Sequence, residues 1–138
     1  METKDLIKYI GIPYKFKGDS FVKGMDCVTI LHAYYKEEGL DLPVPEYSRR
    51  DMNTMRLAKV YIKAVSEFAA NNEVVNKVEE LQINDLVCFR VSGKLVALSG
   101  VYIEKNRVLC LPHKETSVLL KLDSLIWRNK FIFGVRFK

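Results

Sequence analysis

The stretch Lys23-Gly24-Met25-Asp26-Cys27-Val28-Thr29-Ile30-Leu31 most narrows what this chain can become. It reads as a loop that turns into a helix, with one cysteine in the first turn. Gly24 tolerates backbone angles that other residues avoid, and so permits the turn. Asp26 suits the N-cap, because its carboxylate accepts from the free amides of the first turn. Cys27, Ile30, Leu31 and Tyr34 then share one apolar face at helical spacing. Gly39 fits the C′ position that ends a helix. A thiol at a helix N-terminus feels the positive end of the dipole, which favours its thiolate. A nucleophilic cysteine is built this way. A buried structural cysteine on an amphipathic helix has the same local pattern, so the stretch alone leaves both readings open.

The 138 residues suit a single domain over 1–138, long enough to bury roughly two-thirds of the surface of the unfolded chain. Met1-Glu2-Thr3-Lys4-Asp5 carries charges of both signs with no apolar run behind it, which argues against a signal peptide. The longest nearly apolar run, Leu95 to Ile103, is too short to span a bilayer. Cys27, Cys88 and Cys110 are odd in number and far apart. They have neither zinc spacing nor the look of a disulfide framework, and the expectation is a reducing compartment with no metal and no cofactor.

The formal net charge is +5. Arg128, Lys130, Arg136 and Lys138 form a small basic cluster near the end. No Lys/Arg-rich run or nucleic-acid motif accompanies it, so a solvated face is expected and nucleic acid is not. The charge also suits an acidic partner or an anionic cell wall.

Residues 43–53 contain two prolines and a polar run, which reads as a connecting loop. Met55, Ala58, Ile62, Val65 and Ala69 recur at helical spacing and predict a second helix over about 54–70, closed by Asn71-Asn72. From Asp85 the pattern changes to strands. Leu86 to Val91 is followed by a Ser92-Gly93 hairpin signal, then by Lys94 to Ile103. Lys105-Asn106 reads as a tight turn into Arg107 to Leu111. Ser117 to Leu122 and Phe131 to Phe137 are further strands. Helices first and a strand meander after them predict an α+β fold, with N-terminal helices packed on an antiparallel sheet.

Several of these stretches together resemble the NlpC/P60 family of papain-like cysteine peptidases. Tyr9-Ile10-Gly11-Ile12-Pro13-Tyr14 is similar to its Ile-Gly-x-Pro-Tyr segment, Asp26-Cys27 to the pair that opens its helix, and Gly39-Leu40-Asp41-Leu42-Pro43 to its Gly-x-x-Leu-Pro. The resemblance implies a nucleophile at Cys27 and an active-site tyrosine at Tyr14. Asn84-Asp85-Leu86-Val87 is similar to the family's Gly-Asp-Leu strand. Leu98-Ser99-Gly100-Val101-Tyr102-Ile103 is similar to its His-Val-Gly-Ile-Tyr-Ile strand. In that register Leu98 stands where the catalytic histidine is implied, and Cys110 where a third polar residue is implied.

An imidazole takes the proton from the attacking thiol and returns one to the leaving group. Leucine does neither, and losing the base of a triad costs several powers of ten in rate. Val28-Thr29 replace the small pair often found after the nucleophile, and Lys17 replaces a glycine of the loop before it. Two histidines remain. His32 is five positions beyond Cys27, about 140° around the helix axis, and belongs on the helix flank. His113 follows Pro112 in a loop and is the candidate for a displaced base, or else an exposed loop histidine.

The closing stretch Leu122 to Phe137, with Trp127-Arg128, Gly134 and Arg136-Phe137, resembles the ending of tail-associated NlpC/P60 proteins of bacteriophages. That resemblance implies a degenerate member in the tail tip, with other tail-tip or hub proteins as partners, made in the host cytoplasm and carried in the virion tail. An active endopeptidase that cuts peptidoglycan cross-bridges during DNA delivery is the second reading. A module that binds cell-wall peptide without cutting is the third.

Overall fold

A computed structural model describes residues 6–40, 72–90, 96–111 and 115–137, with backbone alone for 96–98. The predicted second helix over 54–70, the Ser92-Gly93 turn, His113 and Lys138 lie outside the described residues. The elements, in chain order, begin with a 3-10 turn at Ile7–Tyr9. A two-stranded ribbon of β1 (Asp19–Ser20) and β2 (Gly24–Met25) leads into α1 (Cys27–Glu37). Then come β3 (Glu73–Val75), a 3-10 turn at Val78–Glu80, β4 (Leu86–Arg90), β5 (Val96–Glu104), β6 (Arg107–Cys110), β7 (Val118–Lys121), α2 (Leu125–Lys130) and β8 (Phe131–Arg136).

Six strands form one antiparallel sheet in the order β3-β8-β4-β5-β6-β7. The arrangement is α+β, as the change of period near Asp85 predicts. It is not a plain meander. β4 to β7 follow one another, but β8 returns to pair with β4 and separates it from β3. The short β3, β1, β2 and α2 are too brief for periodicity to reveal.

Leu86-Val87-Cys88-Phe89 is buried throughout, because both faces of the sheet are covered. On one face Leu86, Cys88, Val101, Ile103 and Leu109 pack against Ile30, Leu31, Tyr34 and Tyr35 of α1. On the other, Val87, Phe89, Val108, Cys110 and Leu122 form a second cluster, joined by the half-buried Trp127 of α2. The Trp127 ring meets Phe89 edge to face at 5.5 Å.

Both ends of α1 are closed by local chemistry. Asp26 Oδ1 accepts from the amides of Val28 and Thr29 at 2.9 Å each, and Thr29 Oγ1 accepts from the amide of Asp26 at 2.9 Å. This reciprocal capping box settles two orphan donors. At the other end Gly39 adopts φ 86°. The amide of Gly39 donates to the Lys36 carbonyl and that of Leu40 to the Tyr35 carbonyl, which is a Schellman motif. Lys105 and Asn106 both have positive φ, 51° and 63°, as a two-residue hairpin turn requires.

Candidate functional site

Three strand-like segments converge on the start of α1. The amide of Met25 donates to the Pro13 carbonyl at 3.0 Å and the amide of Lys15 to the Met25 carbonyl at 2.8 Å. On its other side β2 pairs with β1. Gly24 is held between them. Its φ is 138°, and a Cβ there would lie 2.6 Å from Lys15 Cβ and 2.9 Å from the Pro13 carbonyl oxygen. The glycine in the opening motif is therefore needed for space as well as for angle. The same pairing sets Tyr14 beside Met25, two residues before Cys27, with its ring half-buried against the α1 side of the core.

Asp26 is fully buried. Besides capping α1, its Oδ2 accepts from the backbone amide of Lys17 at 2.8 Å. Lys17 sits in the left-handed region, φ 54°, at the place where the family resemblance puts a glycine. Thr29, read from sequence as a bulky replacement, is the reciprocal half of the capping box. The spacing Asp-x-x-Thr carried that signal.

Cys27 occupies the first helical position, where the dipole favours a thiolate, yet only 5% of it is exposed. Burial is the largest influence on it and drives its pKa well above the ordinary thiol range. The adjacent Asp26 carboxylate pushes the same way, and Cys110 adds to it. The hydrogen bond at its backbone pulls down and is outweighed. Of the two effects the sequence pattern left open, dipole and burial, desolvation of the charged form dominates at this depth. A thiol that keeps its proton at neutral pH is a poor nucleophile.

Cys110 ends β6 inside the second core cluster, within electrostatic reach of Cys27. Its own pKa is pushed up to about 12 by burial and by Glu115. Simple core packing, the expectation for this residue, is what it does. Leu98 lies in β5 as the register partner of Phe89. Ser99, the partner of Cys88, is buried, and its hydroxyl has no hydrogen-bond partner. His32 is half-buried on α1, and its Nδ1 is buried without a partner. Among the described residues no hydrogen bond links an imidazole to Cys27.

The described cations of the terminal cluster, Arg128, Lys130 and Arg136, have partners inside the molecule. Arg136 donates to Asp85 through Nε at 3.1 Å and Nη2 at 3.0 Å. Arg128 pairs with Glu79, and Lys130 lies 5.0 Å over the Trp127 ring. No described helix is long and apolar enough to cross a membrane.

The family model described as "NlpC/P60 family" matches residues 11–136. A search of curated proteins found no match. Among solved structures, the chain is similar to a Bacillus cereus NlpC/P60 family protein at 25% identity and TM-score 0.62, covering 99% of this chain and 40% of that one. A lipoprotein-like NLP/P60 family protein from Staphylococcus aureus is 24% identical, with TM-score 0.61, over 96% of this chain and 39% of that one. The chain thus spans about two-fifths of the length of either protein. RipD of Mycobacterium tuberculosis, described as a non-catalytic NlpC/p60 domain protein adapted to peptidoglycan binding, shares the fold at 14% identity and TM-score 0.55, over 96% of this chain and 91% of that one.

Proposed function

This chain belongs to the NlpC/P60 family, and from that premise we propose that it is a member without peptidase activity, serving as a structural or assembly component of a bacteriophage tail tip. The observation that carries the loss of chemistry is the state of Cys27. It is buried and next in the chain to the Asp26 carboxylate, and both burial and that charge disfavour the thiolate an active enzyme needs. The resemblance supports the same reading, since in the register it implies leucine stands at position 98 in place of the motif's histidine. On this reading Asp26 and Cys27 serve structural roles. The capping box keeps α1 in place, and the thiol fills space in the core.

The tail assignment rests on the Trp127-Arg128 and Arg136-Phe137 ending and its likeness to tail-associated members of the family. Its partners are then other tail-tip or hub proteins, and its place is the host cytoplasm during assembly and the virion tail afterwards. A second reading, a module that holds cell-wall peptide without cutting it, takes support from the description of RipD as a non-catalytic, peptidoglycan-adapted domain.

Immunoblotting of density-purified particles and of washed cell-wall sacculi separates the two. The tail reading predicts the protein in purified tails and not on sacculi. Its absence from particles, with saturable binding to sacculi, would replace that reading with the second.

A further inference from the structure

The ribbon of β1 and β2 closes on the turn Phe21-Val22-Lys23, because Ser20 pairs with Gly24. Local bonds hold this turn. Ser20 Oγ accepts from the amide of Val22 at 3.2 Å and from that of Lys23 at 3.0 Å. Phe21 packs half-buried against the core, and its ring meets Tyr9 edge to face at 5.3 Å. At the tip Val22 is 84% exposed. Nothing in the turn asks for valine there. Val22 has no positive φ and its hydrogen bond runs through its backbone, so a polar residue would serve the turn equally.

A second exposed aliphatic residue stands close by. Lys8 Nζ lies 5.4 Å from the centroid of the Phe21 ring and 5.5 Å from that of Tyr9. This brings the 3-10 turn against the ribbon, and Ile7 of that turn is 69% exposed.

Cations flank the same ribbon. Residues 6–25 contain Lys8, Lys15, Lys17 and Lys23 against one acid, Asp19. Lys8 is paired with Glu37. Lys15 lies against β2, its amide bonded to the Met25 carbonyl and its Cβ beside Gly24. Lys17 precedes Gly18, which packs against the Gly24 carbonyl. Lys15, Lys17 and Lys23 are all exposed. Lys15 and Lys23 form no ion pair among the described residues.

An aliphatic tip that is convex, held in place and flanked by lysines suits a fluid interface better than a folded partner. An acidic protein would have to offer a pocket for Val22 as well as carboxylates for the lysines. The headgroup region of a bilayer receives a convex apolar tip without a matching shape, and its phosphates meet ammonium groups carried on flexible stems. Anionic lipids add attraction for each lysine near the surface.

We propose that the ribbon tip is a peripheral contact with an anionic lipid bilayer, with Val22 entering the headgroup region and Lys15, Lys17 and Lys23 at the phosphates. The proposal rests neither on the loss of peptidase activity nor on the tail assignment.

Co-sedimentation of the 138-residue chain with sucrose-loaded vesicles tests it. One set is phosphatidylcholine alone, and the other is equal parts phosphatidylcholine and phosphatidylglycerol. Binding is expected on the anionic vesicles, falling as salt is raised, and not on the neutral ones. Val22→Ser should weaken it about fivefold, the scale of removing part of one buried aliphatic side chain from the interface. Lys15→Gln and Lys23→Gln should each weaken it about fivefold. Leu125→Ser alters an exposed leucine of α2, on the other face of the sheet, and should leave binding unchanged. All four changed side chains are exposed, and thermal unfolding should show each variant folded as the wild type is. No pelleting above the vesicle-free control would overturn the proposal. So would equal binding to neutral vesicles, or an equal loss in Leu125→Ser. Full binding in Val22→Ser with loss in the lysine variants would overturn it in favour of a soluble polyanion.

Discussion

The backbone amide of Lys17 donates to Asp26 Oδ2 at 2.8 Å, tying the loop before the ribbon to the residue that caps α1. Lys17 reaches this position with φ 54°, a left-handed angle that costs a side-chain-bearing residue about 1–2 kcal/mol. Glycine has no such penalty but loses more freedom on folding. Lys17→Gly should therefore stabilise the chain by about 0.5–1 kcal/mol, a rise of a few degrees in Tm. A fall in Tm would show that the Lys17 side chain contributes more than its backbone strain.

Asp26 has two separable roles, as cap and as negative charge beside the thiol. Asp26→Ala removes the cap and the acceptor of three backbone-amide hydrogen bonds, and should destabilise by about 1–3 kcal/mol in urea unfolding. Asp26→Asn keeps an oxygen for the cap and removes the charge. It should lower the Cys27 pKa, because Asp26 is its second-largest upward influence. Thiolate absorbance against pH reads this directly. An unchanged titration in Asp26→Asn would mean that burial alone sets the thiol.

Alkaline stability tests the buried thiols together. Cys27, Cys88 and Cys110 are all raised by burial, Cys110 to about 12, whereas an unfolded thiol ionises near 8.5. Above that pH the unfolded chain releases protons that the folded chain keeps. The unfolded state then binds fewer protons, and stability falls as pH rises. The stabilisation is complete below about pH 8.5 and is lost through the folded pKa values. Each thiol adds a slope of about 1.4 kcal/mol per pH unit once its unfolded form is ionised. Urea unfolding at pH 8 and pH 10 should show this decline, and Cys88→Ala should remove about a third of the slope. Equal stability at the two pH values would contradict the burial of these groups.

Much of this was legible in the sequence. The cap at Asp26, the end at Gly39 and the face of Cys27, Ile30, Leu31 and Tyr34 follow from spacing, and all appear in α1. The Lys105-Asn106 turn was legible for the same reason, since few residue pairs adopt two positive φ angles. The insertion of β8 beside β4 was not, because strand order depends on long-range pairing that local patterns do not encode. The Asp85–Arg136 pair spans 51 residues and was hidden likewise. The helix position of Cys27 was legible because it is local, while its depth was left open because burial is a property of the whole fold. What surrounds the Leu98 side chain and His113 lies outside the described residues.

Release of new amino groups from purified peptidoglycan, compared between wild-type protein and Cys27→Ala near neutral pH, tests the central claim most directly. A protonated, desolvated thiol predicts no release above buffer in either protein. Release by wild type that disappears in Cys27→Ala would contradict the account, and its further loss in His113→Ala would identify a rearranged, working dyad.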